Sequence, residues 1–257
     1  MRVATWNVNA LRARLEFFLH WLRARSPDVV GIQEVKATEA QFPFAELESA
    51  GYRAVVHGQK GWNGVAIVSR EAATVTQVGL PGHETLGSRF LTAEVGGLSF
   101  TTIYVPNGKH LAHEDFPRKL AWLDALCEHF TSSHDPGRPT VLCGDLNVCP
   151  APIDNWNEET LAGTIFNTPE ERERFARLLE WGFVDAFREK HPDTRAFSWW
   201  DYRGGAFHQG RGLRIDFVLA TQSVMNRVRK AEIDRDYRKK KDGLTPSDHA
   251  PVIVDLE

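Results

Sequence analysis

Cysteine is scarce in this chain: Cys127, Cys143 and Cys149 are the only three. An odd number argues against a disulfide framework, and their spacing is not that of a zinc site. Reduced thiols fit an intracellular, cytoplasmic protein. Long hydrophobic runs are missing too. None approaches the roughly 18 residues that a membrane span needs, so no membrane partner is expected. The start, Met1-Arg2-Val3-Ala4-Thr5-Trp6, passes straight into a strand pattern without the apolar core of a secretory signal. Positive charge is not in excess, with 31 Lys and Arg against 34 Asp and Glu. A bulk nucleic-acid coat is thereby excluded, although a local basic face is not. Lys239-Lys240-Lys241 with Arg235 and Arg238 is one such cluster, and alone it reads as solvated surface. The chain also lacks a Gly-rich strand-to-helix phosphate loop and a Ser or Cys nucleophile elbow. It has no linker, repeat or low-complexity stretch, so residues 1–257 are read as one domain, with nothing demanding more than a monomer.

What is present is an ordinary globular composition, 42% hydrophobic and 25% charged, at a length that buries a core without staples. Residues 2–8 alternate as a strand, and Leu11, Leu15, Phe18, Leu19 and Leu22 recur at helical spacing over about 10–25. Val29–Ile32 reads as a strand ending at Gln33-Glu34. Residues 38–50 look helical around an awkward Pro43, and strands follow at about 52–57 and 64–69. Phe90–Val95 and Leu98–Val105 form a hairpin around Gly96-Gly97. A helix over about 114–131 presents Leu120, Leu123, Leu126, Cys127 and Phe130 on one face. Thr140–Cys143 is a strand leading into Gly144-Asp145-Leu146-Asn147. A loop at 150–168 precedes a helix that starts at Thr168-Pro169-Glu170-Glu171. Phe183–Phe187, Ala196–Trp200, Leu213–Thr221 and Pro251–Asp255 read as strands. Strands alternate irregularly with helices and several pair as hairpins. The expected fold is therefore α/β (α+β): two mixed, mainly antiparallel sheets packed face to face with helices outside each.

Asn7, Glu34, Tyr104, Asp145, Asn147, Asp216 and Asp248-His249 all stand at strand ends. Polar residues there converge on one rim of a sandwich, whereas mid-strand they would be unpaired liabilities. The set holds several carboxylates, amides, one phenol and one imidazole. Such hard oxygen ligands suit Mg²⁺, with Mn²⁺ as a possible substitute, better than zinc. A metal, a histidine and a water-orienting carboxylate are the parts needed to hydrolyse a phosphodiester. Each residue also has an ordinary reading: Asp145 and Asn147 as an Asx turn, Tyr104 as an edge aromatic, Asp216 as half of a buried ion pair. The sharper reading of Asp216 is a carboxylate that orients His249.

The ordered set resembles the exonuclease III family of DNA-repair nucleases, within the wider endonuclease/exonuclease/phosphatase superfamily, over nearly the whole chain. Thr5-Trp6-Asn7-Val8-Asn9 looks like the opening strand of that family, and Pro27–Lys36 is similar to its glutamate motif. Tyr104–Gly108, Gly144–Asn147, Phe197–Arg203, Arg211–Asp216 and Ser247–Pro251 match further motifs. The QExK, FSWWDYR and GLRID stretches point to the DNA-repair branch. The resemblance implies a four-layered α/β sandwich, Mg²⁺-dependent cleavage 5′ to abasic sites, and 3′-to-5′ exonuclease or 3′-phosphatase action on duplex DNA with abasic or 3′-blocked sites. It implies that Glu34 holds the metal with Asn7 and Asp248 nearby. Asp145 and Asn147 would handle the water, Tyr104 and His249 the phosphate, and Asp216 would orient His249. Trp199, Leu213 and Ile215 would receive a flipped-out abasic sugar, and Asn107, Lys109 and Arg211 would touch the substrate. Departures are Gly210 for a usual Asn, Ala186 for Ser or Thr, Thr221 for Ser, and the composition of 204–209. Superfamily phosphodiesterases for RNA, lipid or inositol phosphates remain the alternative, and a non-enzymatic DNA-binding module is a more distant one.

Overall fold

The computed structural model describes residues 1–257. Twelve strands run β1 (Arg2–Asn7), β2 (Val29–Gln33), β3 (Arg53–His57), β4 (Val65–Ser69), β5 (Thr74–Val78), β6 (Phe90–Val95), β7 (Leu98–Tyr104), β8 (Thr140–Asp145), β9 (Phe183–Asp185), β10 (Asp216–Thr221), β11 (Val228–Ile233) and β12 (Val252–Leu256). They form two six-stranded sheets, ordered β11-β12-β1-β2-β4-β3 and β5-β6-β7-β8-β10-β9. Helices are α1 (Leu15–Arg25), α2 (Phe44–Ser49), α3 (Asp115–Ser133), α4 (Glu158–Leu161), α5 (Pro169–Trp181), α6 (Ala186–Lys190) and α7 (Gln222–Met225).

Strand alternation sorts the side chains into layers. Val3 and Val29 point between the sheets, where they meet Phe100, Val141, Cys143 and Val254. Ala4, Trp6, Val30 and Ile32 point the other way, onto Phe17, Phe18, Trp21 and Leu22 of α1. On the far side, Phe90, Ile103, Leu142 and Phe217 pack under Trp122, Leu126 and Phe130 of α3 and Phe175 of α5. The result is the four-layered sandwich with two mixed, mainly antiparallel sheets. The exceptions to antiparallel pairing are β1 with β2 and β7 with β8. Parallel neighbours end on the same edge, so the residues that follow them land side by side. Gly31 permits a close approach of the two sheets, because a Cβ there would sit 2.6 Å from Thr102 Oγ1 and 2.7 Å from Cys143 Sγ.

Several expected elements change form. Pro43 splits 38–50 into a 3₁₀ turn at Glu39–Gln41 and the short α2. Phe183–Phe187 is a strand only to Asp185, whose carboxylate caps α6 by accepting from the Phe187 and Arg188 amides. Ala196–Trp200 is not a strand. Its backbone bonds are divided between Leu213, Asp248 and Ala250, making a corner rather than a ladder. The strand expected from Leu213 begins at Asp216, since the amides of Ile215 and Asp216 bond Ser198 Oγ and that of Arg214 bonds the Asp154 carbonyl. Edge strands β5 and β11 gave no sequence signal, as neither shows a clean two-residue burial period. The capping box at Thr168 and Glu171 forms as expected. On α3 the buried face takes Lys119 and Trp122 while Leu120 is only half-buried.

Candidate active site

The two parallel strand pairs end at one rim. Asn7 closes β1, Glu34 follows β2, Tyr104 closes β7 and Asp145 closes β8, with Tyr104 opposite Asp145 in register. Asp216, which opens β10, is the antiparallel partner of Asp145. Gly144, inside β8, lets the β7 backbone approach closely just before the site. Its φ is +146, and a Cβ there would lie 2.0 Å from the Ile103 carbonyl oxygen. Glu34 adopts a positive φ of 53 and its carbonyl accepts from the Ala10 amide at 2.7 Å, which turns its side chain onto the rim. The His249 loop is fastened to β1: Trp6 Nε1 donates to the His249 carbonyl at 3.0 Å and Ser247 Oγ to the Asn7 carbonyl at 2.7 Å.

Donor atoms of Glu34, Asp145 and His249 all lie within 4.8 Å of one another. The Asn7 amide nitrogen bridges the two carboxylates, donating to Glu34 Oε1 at 2.7 Å and Asp145 Oδ2 at 2.9 Å. Lys36 Nζ pairs with Glu34 Oε2 at 2.8 Å. His249 Nδ1 lies 2.9 Å from Asp216 Oδ2, and its Nε2 faces Asp145 Oδ2 at 3.8 Å. Burial pulls the His249 imidazole down, but Asp216 and Asp145 outweigh it and raise its pKa to about 10. Burial raises Asp145 to about 7, opposed by His249 and reinforced by Asp216. Tyr104 is held well above its ordinary value by burial, then by the charges of Glu34 and Asp145, so it stays a hydrogen-bond donor. This donor set, oxygen-rich and concave, fits a hard divalent cation.

Other predicted residues occupy different places. Asp248 stands apart from the three-residue group: Oδ1 accepts from Asn9 Nδ2 at 2.9 Å and Oδ2 from Trp199 Nε1 at 3.0 Å. The Asn7 oxygen is taken by the Asn9 amide at 3.0 Å, so its nitrogen rather than its oxygen faces the site. Asn147 forms the Asx turn with Asp145 at 3.0 Å, and its side-chain amide donates to the Val105 carbonyl at 2.9 Å. The local turn and the convergent site are thus both present. Asn107 and Lys109 sit on the exposed loop after β7, with Lys109 Nζ paired to Asp115 at 2.8 Å.

Trp199, bridged to His249, is also a wall of a cleft of about 420 Å³ lined by Leu213 and Arg211 together with Trp156, Leu161, Ile165 and Phe166. Ile215 is not a wall. It is buried with Cys149 beneath Leu213, because the residue after Arg214 turns inward before β10 begins. The walls from 156–166 fall in the segment read as a loop; its four large apolar residues, Trp156, Leu161, Ile165 and Phe166, are the sequence signal for them. Arg89, stacked on the Tyr104 ring at 4.8 Å, carried no sequence signal. The basic cluster divides: the Arg238 guanidinium lies between Tyr202 and Phe207 and donates to the Asp248 carbonyl at 3.1 Å, whereas Lys239 and Lys240 are exposed.

Residues 4–249 match the Endonuclease/Exonuclease/phosphatase family. An exodeoxyribonuclease III from Haemophilus influenzae is 35% identical over 270 residues, covering 100% of both chains. An AP endonuclease structure from Archaeoglobus fulgidus superposes with TM-score 0.95 at 35% identity, covering 100% of this chain and 99% of that one. A 3′ phosphatase from Neisseria, solved with a product DNA hairpin, gives TM-score 0.94 at 34% identity, covering 100% and 99%. No helix is long and apolar enough to cross a membrane. Strand-end carboxylates, the histidine loop and these whole-length likenesses together mean that the chain belongs to the endonuclease/exonuclease/phosphatase family, in its exodeoxyribonuclease III branch.

Proposed function

We propose that this chain is a Mg²⁺-dependent DNA-repair nuclease that hydrolyses the phosphodiester 5′ to an abasic site in duplex DNA, acting as a monomer of one catalytic domain over residues 1–257. The same site would trim 3′-blocked ends as an exonuclease and phosphatase. One observation carries this reading: donor atoms of Glu34, Asp145 and His249 converge within 4.8 Å, and Trp199, bridged to His249, is a wall of a partly apolar cleft. Glu34 and Asp145 would hold the cation, which when bound supplies positive charge to a phosphate oxygen. Asp145, placed by Asn7, accepts a proton from the attacking water. The His249 imidazolium and the Tyr104 phenol donate to the phosphate oxygens, where charge grows in the transition state. Asp216 orients the His249 ring and keeps it protonated. Trp199, Leu213 and Phe166 offer an apolar surface to a baseless sugar, and unstacking costs least where no base is paired. Asn107 and Lys109 on the exposed loop after β7, with Arg211 at the cleft, would contact the DNA backbone.

The test is incision of a duplex carrying one tetrahydrofuran abasic analogue, with Mg²⁺ and with EDTA, beside an undamaged duplex. Cleavage 5′ to the analogue only with Mg²⁺ is expected. Asp145→Asn abolishes it while DNA binding persists; turnover near the parent's would remove Asp145 from the chemistry. Failure of the parent to cut either duplex would redirect the search to RNA, lipid or inositol phosphates.

A further inference from the structure

Lys119 is the only buried lysine of the chain, with no exposed surface. Its ammonium meets four partners that come from four different segments. It pairs with Glu171 in the first turn of α5 and donates to the Asn147 carbonyl at 2.6 Å. It also reaches the Asn107 carbonyl at 3.4 Å and lies 4.7 Å from the centre of the Phe166 ring. Glu171 is held in turn, accepting from Thr168 N at 3.1 Å and Thr168 Oγ1 at 3.0 Å. Three ammonium donors are therefore spent on the segment after Tyr104, the turn after Asp145 and the start of α5, while the fourth contact is a wall of the cleft.

A buried ion pair contributes little net stability compared with well-packed apolar side chains of the same volume. Stability alone does not account for a charge here. What an apolar side chain cannot do is donate to two carbonyls at once. The Asn147 and Asn107 carbonyls belong to segments that carry Asp145 and Tyr104; β7 and β8 end before both, so these two carbonyls lie outside the sheet ladder and accept from Lys119. The direct ties between those segments beside the lysine are the Val105 amide on the Asp145 carbonyl at 2.9 Å and the Asn147 side-chain amide on the Val105 carbonyl at 2.9 Å, and neither reaches Asn107.

We infer that Lys119 is a positioning residue for the reaction: its ammonium sets the spacing between the Tyr104 loop and the Asp145–Asn147 turn, and seats the Phe166 wall of the cleft against both. This rests on the nuclease reading for its kinetic consequence, though not for its structural one.

The experiment uses the neutral pair Lys119→Met with Glu171→Gln, which avoids a lone buried charge and keeps an acceptor for Thr168. Turnover of the abasic duplex in saturating Mg²⁺ is expected to fall about tenfold to a hundredfold, the scale of a small misplacement of reacting groups. KM changes less, by about threefold at most, since Arg211, Trp199 and Leu213 do not touch the lysine and keep their places. Amide exchange of the folded, substrate-free protein is expected to quicken about tenfold at Asn107–Lys109 and Leu146–Cys149 and to stay unchanged within β7 and β8. Should the pair fail to fold, Lys119→Arg decides by the same readouts, because a planar fork keeps the charge but cannot aim three donors as an ammonium does. Turnover within about twofold of the parent, or unchanged exchange in the two segments, overturns the inference. If the parent itself does not cut, the nuclease reading falls and the exchange data still judge Lys119.

Discussion

His249 is 3% exposed, and Asp216 is buried with it. Neither would be tolerated there alone, since an unpaired buried charge is expensive. Together they form a unit, with Asp216 fixing the ring and Asp145 facing its other nitrogen. His249→Ala should lower kcat by roughly 10²–10³, the range for a lost electrostatic donor. Asp216→Asn should cost less, because the ring remains but its orientation and charge are less well held. The double variant should be no worse than His249→Ala, as residues that act through one another are not additive. Steady-state kinetics on the abasic duplex would read this, and a multiplicative loss in the double variant would give Asp216 a separate role. Asn7 teaches a related point. The resemblance places it near the metal; in the structure the Asn9 amide takes its oxygen and its nitrogen holds two carboxylates in place.

At the scale of elements, the C-terminus of α3 carries a pair that is unrelated to the site. His129 and His134 share a hydrogen bond of 3.2 Å between their Nε2 atoms, and the His129 ring packs on Phe90. Burial, then the neighbouring His134, lowers the His129 pKa to about 4. Burial and then Arg138 lower that of His134 as well. An unfolded histidine titrates near about 6.5, so between pH 6.5 and 4 the unfolded chain binds more protons than the folded one. Stability from this pair is therefore complete above about pH 6.5 and declines as pH falls towards 4. Urea unfolding at pH 7, 6 and 5 should show a shallower decline for His129→Leu than for the parent; parallel slopes would mean that the pair does not titrate as described. The same helix shows what a pattern can hide. Lys119 lies on the apolar stripe with Leu123, Leu126 and Phe130, and a lysine on such a stripe is a legible anomaly. Its partners lie 28 and 52 residues away and are not legible.

For the whole molecule, the site exists because two sheets each contribute a parallel strand pair that ends on one rim. A cation held between groups from both sheets binds the folded chain and not the unfolded one. Mg²⁺ at a hundredfold above its Kd should therefore add about 2.7 kcal/mol to the unfolding free energy. Thermal melts with Mg²⁺ and with EDTA would measure the shift, and Glu34→Gln should largely erase it. An equal Mg²⁺ shift in that variant would place the cation elsewhere.

Local pattern was enough for the fold class, most of the strands, the capping box at Thr168 and the order of polar residues at strand ends. These follow from two-residue and 3.6-residue periods and from turn chemistry, which act between near neighbours. The sequence by itself also determined which chemical groups are available: carboxylates, an imidazole and no thiol nucleophile. Only the tertiary structure decided which of them meet. The corner at 196–200, the late start of β10 at Asp216, the burial of Ile215 beneath Leu213 and the cleft walls from 156–166 all depend on bonds between segments far apart in the chain. Periodicity carries no information about such bonds, because they are settled by how the two sheets pack and by which orphaned backbone groups find partners at their edges.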